Sequence, residues 1–97
     1  MKNLKVYYLM DVDNEYIYHA TNQDEFIESA LRYLKSELFE VVENYKTYVL
    51  NQDEYLEEME RFINIRKKIK ECENIIELKH ITRDLDFKLK TKTIKLD

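Results

Sequence analysis

The chain has 97 residues, of which 44% are hydrophobic and 37% are charged, and its net charge is −4. This length and composition predict a single globular domain over residues 1–97 with a highly charged surface, and they exclude a disordered chain. The absence of glycine and proline excludes glycine-rich phosphate loops and the nucleophile elbows of hydrolases.

The chain also lacks the features of membrane and secreted proteins. No apolar run reaches the ~18 residues that cross a bilayer, and the N-terminus does not follow the pattern of a signal peptide. The single cysteine, Cys72, excludes an internal disulfide and fits a reducing compartment. We therefore expect a bacterial or host-cell cytoplasmic protein without membrane contact. Heavy use of Lys, Asn, Ile, Tyr and Glu is typical of AT-rich coding, as in low-GC bacteria and their phages.

Residues 4–20 are predicted to form a β-hairpin. Side chains alternate from Leu4 to Met10 in the manner of a strand, and residues 16–20 supply the partner strand. The intervening segment is rich in Asp and Asn, and we expect Asp13 and Asn14 at its tip because both residue types tolerate left-handed backbone.

Three helices are predicted next, over residues 22–50, 52–73 and 75–85. Each begins with an asparagine that is followed three residues later by a glutamate, at Asn22, Asn51 and Asn74, which is the spacing of a capping box. The first two starts open a weak repeat of 29 residues. This repeat favours two similar helices that fold back on each other as an antiparallel hairpin.

Apolar stripes run along both long helices. They comprise Ile27, Leu31, Leu34, Leu38, Val41, Tyr45 and Tyr48 in the first and Tyr55, Met59, Phe62, Ile65, Ile69, Cys72 and Ile76 in the second. A continuous 22–50 helix would be about 43 Å long, more than this small domain can cover. Either the helix breaks near Asn44, or a partner covers part of the stripe, and a homodimer through the stripe is one such arrangement.

The C-terminal part completes an α+β fold. Ile75, Leu78, Ile81 and Leu85 are expected to face inward from the third helix, and residues 87–96 alternate as a strand. The alternation changes register before Ile94, which predicts a bulge. We expect this strand to join the N-terminal hairpin in a three-stranded antiparallel sheet with the helices on one face.

No catalytic or metal-binding pattern is found. Asp11, Asp13 and Glu15 are spaced like the first ligands of a calcium loop, but the required glycine and closing glutamate are absent, so a turn is the favoured interpretation. Cys72, His19 and His80 do not have the sequence spacing of metal ligands. Cys72 and His80 also do not match the pattern of an activated Cys–His nucleophile. We predict a non-enzymatic protein without cofactor or metal.

Charge is unevenly distributed along the chain. Residues 1–60 carry a net charge of −9 and residues 61–97 a net charge of +5. Arrays of carboxylates can imitate nucleic-acid phosphates on the surface of a partner protein, although helix starts and i,i+4 ion pairs also explain many of them. The predicted acidic partner-binding residues are Glu28, Glu37, Glu40, Glu43, Glu57, Glu58 and Glu60.

Tyrosines lie on both faces of the predicted hairpin, and tyrosine is common in protein-binding surfaces. The predicted aromatic partner-binding residues are Tyr7, Tyr16 and Tyr18.

These features favour a small acidic protein-binding module, of phage or mobile-element origin, that inhibits a nucleic-acid-handling host defence protein. One alternative is a nucleic-acid-binding regulator, which would make salt-dependent phosphate contacts through Arg66, Lys67, Lys70, Lys88, Lys90 and Lys92. The strand lysines among these residues also suit the protection of an edge strand. A self-associating structural protein is the third alternative.

Overall fold

A computed structural model of the chain describes residues 2–47 and 52–96. Its elements are β1 (Lys2–Met10), β2 (Tyr16–Ala20), α1 (Gln23–Thr47), α2 (Gln52–Glu71), α3 (Ile75–Asp84) and β3 (Lys88–Leu96). The α+β fold is as predicted, with an N-terminal hairpin, three helices and a C-terminal strand in the sheet. The alternative of a break near Asn44 is wrong, because α1 is continuous to Thr47. The predicted continuation of this helix through residues 48–50 lies outside the described residues.

The sheet is antiparallel, with strand order β2-β1-β3. β1 and β3 pair without interruption, from Lys2 opposite Leu96 to Met10 opposite Lys88. The predicted bulge before Ile94 is therefore wrong. Ile94 lies opposite Leu4 on the face that carries no helices, so its apolar side chain has a neighbour without any change of register. The shift occurs instead between β1 and β2.

The hairpin turn between β1 and β2 is confirmed, and one carboxylate organises it. Asp11 Oδ1 accepts hydrogen bonds from the backbone N–H groups of Asp13 at 2.9 Å and Glu15 at 2.8 Å. Asn14 adopts a φ of 64°, and Asp86 a φ of 63° in the turn that precedes β3. In a chain without glycine, Asn and Asp occupy these left-handed positions because their short polar side chains tolerate them.

Asparagine caps two of the three predicted helix starts, while the third cap, Asn51, lies outside the described residues. Asn22 Oδ1 accepts from the N–H of Glu25 at 2.9 Å, and Asn74 Oδ1 accepts from the N–H of Glu77 at 2.9 Å. The Glu77 carboxylate accepts from the N–H of Glu73 at 2.9 Å. The Glu77 carboxylate therefore binds the N–H of the residue before the cap, whereas in a capping box it binds the N–H of the cap residue itself.

Replacing Asn74 with alanine is expected to lower the free energy of unfolding by about 1 kcal/mol, because the N–H of Glu77 in the first turn of α3 loses its side-chain acceptor. Urea denaturation followed by circular dichroism measures this change. Asn64→Ala is the matched control, since Asn64 is exposed on α2 and alanine favours a helix interior. An Asn74→Ala variant as stable as the control would contradict the assignment of the cap.

The core lies between the helical layer and one face of the sheet. Its buried members are Tyr7, Leu9, Ala20, Phe26, Ile27, Ala30, Leu34, Leu38, Phe62, Ile65, Ile69, Leu78 and Ile81. The predicted stripe of α1 is used in this core as far as Leu38. Val41, expected to be buried on the same stripe, is 42% exposed. The sheet packs near the start of α1, where Phe26 meets Tyr7 and Tyr18.

Beyond Leu38, α1 packs against α2, and Tyr45 contacts Tyr55 and Phe62. The described part of the molecule is accordingly elongated, with extents of 59 × 27 × 15 Å. Ile76, placed on the α2 stripe by its spacing, is also exposed. α2 ends at Glu71 and Ile76 belongs to α3, so the periodicity does not continue across the break.

Candidate interaction surfaces

The two ends of the long helical hairpin differ in charge. We use the term helical tip for residues 37–47 of α1 and 52–60 of α2, which lie at the end of the hairpin away from the sheet. By sequence the helical tip has eight carboxylates and one lysine, a net charge of −7. The hairpin therefore brings together six of the seven predicted acidic residues, all except Glu28.

Glu28 and Glu58, both predicted acidic residues, form ion pairs with arginines of the same helix. Glu28, outside the helical tip, accepts from Arg32 at 3.3 Å, and Glu58 accepts from Arg61 at 3.3 Å. Both pairs are solvent-exposed, so each contributes little to stability. The pKa of the Tyr45 hydroxyl is raised above its ordinary value, first by burial and then by the negative charges of Glu58, Glu54 and Glu57. The helical tip is thus a region of negative potential.

An apolar groove lies between α1 and α2, where the helical tip joins the rest of the hairpin. This tip groove, of about 350 Å³, is lined by Lys35, Leu38, Phe39, Val42, Glu43, Met59, Phe62, Ile63 and Arg66. Phe39 and Ile63 are each 66% exposed, although both are large apolar side chains. Neither residue was predicted to bind a partner, because neither lies on the predicted apolar stripes. A large apolar residue on the otherwise charged side of a helix was the available signal.

Charged residues flank the two ends of the tip groove. Lys35 lies one turn before Phe39 on α1, and Glu43 lies one turn after it. Because α2 runs antiparallel to α1, Arg66 lies toward the Lys35 end. Arg66, predicted as a nucleic-acid contact, is therefore part of the helical hairpin and does not belong to the sheet.

The sheet is the basic counterpart of the helical tip. β1, β2 and β3 contain six lysines and no aspartate or glutamate. Lys2 and Lys5 were not predicted to belong to this group, because the net charge of residues 1–60 is strongly negative. The pairing of β1 with β3 places these two lysines in the same sheet as the C-terminal lysines. β3 is an edge strand. Its lysines can therefore also protect this edge from pairing with other chains, as the alternative interpretation requires.

Three of the lysines lie on the face of the sheet that the helices leave open. Lys88, Lys90 and Lys92 are directly opposite Met10, Tyr8 and Val6 of β1, whereas Leu89 is opposite the buried Leu9 and packs on the core. We use the term outer sheet face for Val6, Tyr8 and Met10, Tyr16 and His19, and Lys88, Lys90 and Lys92. Lys67 and Lys70 are exposed on α2, in the helical layer behind the sheet.

The predicted aromatic residues are divided between the two faces. Tyr7 is 6% exposed and its ring lies 5.6 Å from that of Phe26, while Tyr18 stacks on Phe26 at 6.0 Å. Both rings belong to the core and its margin. Tyr16 is 57% exposed and lies beside His19, with 5.3 Å between ring centroids. Only Tyr16 among the three predicted tyrosines is open to a partner.

The register shift between Leu9 and Met10 places Tyr16 opposite Met10, on the outer sheet face. In an uninterrupted ladder Tyr16 and Tyr18, two residues apart, would share a face. Tyr8 and His19 form a directly opposed pair on this face, with 6.1 Å between ring centroids. They are absent from the predicted binding set because the sequence did not reveal which hairpin face the helices cover.

No group of three or more His, Cys, Asp or Glu residues within the described ranges 2–47 and 52–96 is arranged to hold a metal ion. Cys72 is partly buried, and its Sγ donates to the carbonyl oxygen of Asn74 at 3.5 Å. Burial raises the pKa of this thiol, which keeps it protonated and weakly nucleophilic near neutral pH. In the same part of the chain, no helix combines the length and apolarity that a membrane span requires.

Comparison of the chain with known protein families, with curated proteins and with solved structures finds no match. Functional inference therefore depends on the physical character of the two surfaces.

Proposed function

We propose that the chain is a non-enzymatic binding module whose helical tip docks onto a basic surface of another protein. The observation that supports this most directly is the tip groove, in which the exposed Phe39 and Ile63 lie beside the carboxylates of the helical tip, whose net charge is −7. Exposed apolar side chains supply affinity when a partner buries them, and an excess of carboxylates favours a cationic partner and speeds its approach.

The chemistry of the helical tip suggests a class of partner. Proteins that handle nucleic acids have basic channels that accept rows of phosphates, and carboxylates projecting from two adjacent helices can occupy such a channel. The specific form of the proposal is an inhibitor, of phage or mobile-element origin, that blocks a host defence nuclease. The apolar contacts of the tip groove would then distinguish this partner from other basic proteins.

Affinity capture with a tip-groove variant tests the proposal. Phe39→Asp combined with Ile63→Asp removes both apolar contacts, and we expect it to retain the fold because both side chains are largely exposed. Wild-type protein is expected to capture a basic nucleic-acid-binding protein from bacterial lysate, and the variant is expected to lose it. Purified partner should then bind wild type at least tenfold more tightly than the variant, and a nuclease partner should lose activity on binding.

Ile76→Asp is the matched control, since Ile76 is as exposed as the groove residues but lies on α3. This control is expected to capture the same partner as wild type. The proposal would be abandoned if wild type and the tip-groove variant recovered the same proteins, or if the partner were acidic.

A second copy of the chain is the competing occupant of the tip groove. Sedimentation at high micromolar concentration is expected to show a monomer. A dimer that the Phe39→Asp and Ile63→Asp pair dissociates would identify the groove as a self-association surface and overturn the assignment to a basic partner. A homodimer through the α1 stripe is less favoured, since that stripe is buried within the chain as far as Leu38.

A further inference from the structure

We propose that the outer sheet face is a second binding site, which takes single-stranded nucleic acid. The outer sheet face is separate from the helical tip and combines lysines with aromatic rings on the side of the sheet away from the helices. The helices pack on the opposite face, where Tyr7, Leu9 and Ala20 enter the core. Val6, on the outer sheet face, is buried but is not part of that core. Among the described residues, no element covers the outer sheet face.

The charge of the sheet specifies an anionic ligand. Its strands carry six lysines without a carboxylate. Lys88, Lys90 and Lys92 recur at every second residue of β3, so their Cα atoms follow one another at roughly 6.6–6.8 Å along one face. Lys88 Nζ donates to Asn14 Oδ1 at 2.9 Å, which orients the first ammonium group at the end of the row. Such a regular row suits a polyanion with repeating phosphates.

The aromatic residues specify a ligand with exposed bases. The rings of Tyr16, His19 and Tyr8 follow one another across β2 and β1, with centroid separations of 5.3 and 6.1 Å. The Tyr16 hydroxyl is hydrogen-bonded to His19 Nδ1, which fixes the two rings relative to each other. Tyr8 lies directly opposite Lys90. A phosphate chain on the lysines therefore places its bases within reach of the rings.

A single strand fits this arrangement better than a duplex. Bases in a duplex stack on each other and have no free faces, whereas unpaired bases stack on aromatic side chains with little sequence preference. The lysine row and the ring row are adjacent and run over one open face, so one strand can contact both. The eight carboxylates of the helical tip lie at the other end of the hairpin, and the strands of the sheet have no carboxylate. Asp11, Asp13 and Glu15 lie in the turn at one end of this face.

Fluorescence anisotropy with a labelled oligothymidylate of about 20 nucleotides tests the site at ~50 mM salt, with an oligouridylate and a DNA duplex of the same length in parallel. We expect both single strands to bind more tightly than the duplex. Tyr16→Ala is expected to weaken binding about fivefold to hundredfold, the range for loss of one stacking residue. Lys90→Ala with Lys92→Ala should weaken binding at least tenfold.

The salt dependence separates phosphate contacts from general damage to the fold. The slope of log K against log salt should become shallower by about 1.4 in the double lysine variant, because each phosphate contact in a single strand contributes about 0.7. Lys67→Ala with Lys70→Ala removes the same charge from α2, and Phe39→Ala removes an exposed ring from the helical tip. Both controls are expected to bind as wild type does.

The assignment would be overturned if no binding occurred at this salt concentration, if the duplex bound more tightly, or if the control variants lost as much affinity as the sheet variants. Binding to anionic phosphatidylserine vesicles but not to either single strand would also overturn it, and would identify a lipid headgroup as the anion.

Discussion

Replacing Phe26 with alanine is expected to lower the free energy of unfolding by about 3–5 kcal/mol. Phe26 is completely buried in α1 and joins the first helix to the sheet. Its ring lies 5.6 Å from that of Tyr7 and 6.0 Å from that of Tyr18, so the substitution removes two aromatic contacts and leaves a cavity. A domain of this size has about 5–15 kcal/mol in total, so the loss is a large fraction of its stability.

Urea denaturation followed by circular dichroism and by tyrosine fluorescence measures the effect. Phe39→Ala is the matched control, since it deletes the same ring from the same helix at a position that is 66% exposed. We expect the control to change stability by less than about 0.5 kcal/mol. Similar losses for the two variants would show that α1 packs on the sheet with a different face.

Replacing Leu34 with aspartate is expected to unfold most of the protein at neutral pH. Leu34 is completely buried, and a buried carboxylate without a partner costs about 3–5 kcal/mol in addition to the lost apolar contacts. Burial raises the pKa of such a carboxyl group above its unfolded value of about 3.9. The variant should therefore be most stable at acid pH, where the group is protonated, and should lose stability as pH rises.

Circular dichroism between about pH 4 and pH 8 measures this loss, and Leu34→Ala provides a graded variant with an expected cost of about 2–5 kcal/mol. The control is Val41→Asp, seven residues later on the same predicted stripe but 42% exposed. It should cost less than about 1 kcal/mol. An equally damaging Val41→Asp would indicate that this end of the stripe is buried in solution, as a homodimer through the stripe requires.

The local elements were largely predictable, because their signals lie between near neighbours in the chain. Asn22 and Asn74 specify helix starts by bonds that span three residues. Asp11 and Asn14 specify the hairpin turn in the same way. The apolar period predicted the buried side of α1 up to Leu38. The length of that helix favoured a break near Asn44 or cover by a partner, and the break is wrong because α1 continues to Thr47.

The candidate surfaces were only partly predictable. The acidic excess was visible, since the carboxylates of the helical tip lie in one stretch of sequence that the hairpin folds onto itself. The tip groove was not, because it depends on how Phe39 and Ile63 of different helices are juxtaposed. The outer sheet face was less visible still. Its lysines and rings belong to strands at opposite ends of the chain, and net charge over long segments concealed the basic residues of β1.

The sequence by itself determined the helices, the strands, the turn residues and the absence of glycine-dependent sites, since each follows from propensity, period or capping within a few residues. Tertiary structure alone decided which hairpin face the helices cover. It thereby buried Tyr7 and left Tyr8 partly exposed on the outer sheet face, because a strand with apolar side chains on both faces does not specify which one enters the core. The pairing of β1 with β3 and the register shift that turns Tyr16 outward depend on contacts between distant residues, and local patterns do not encode them.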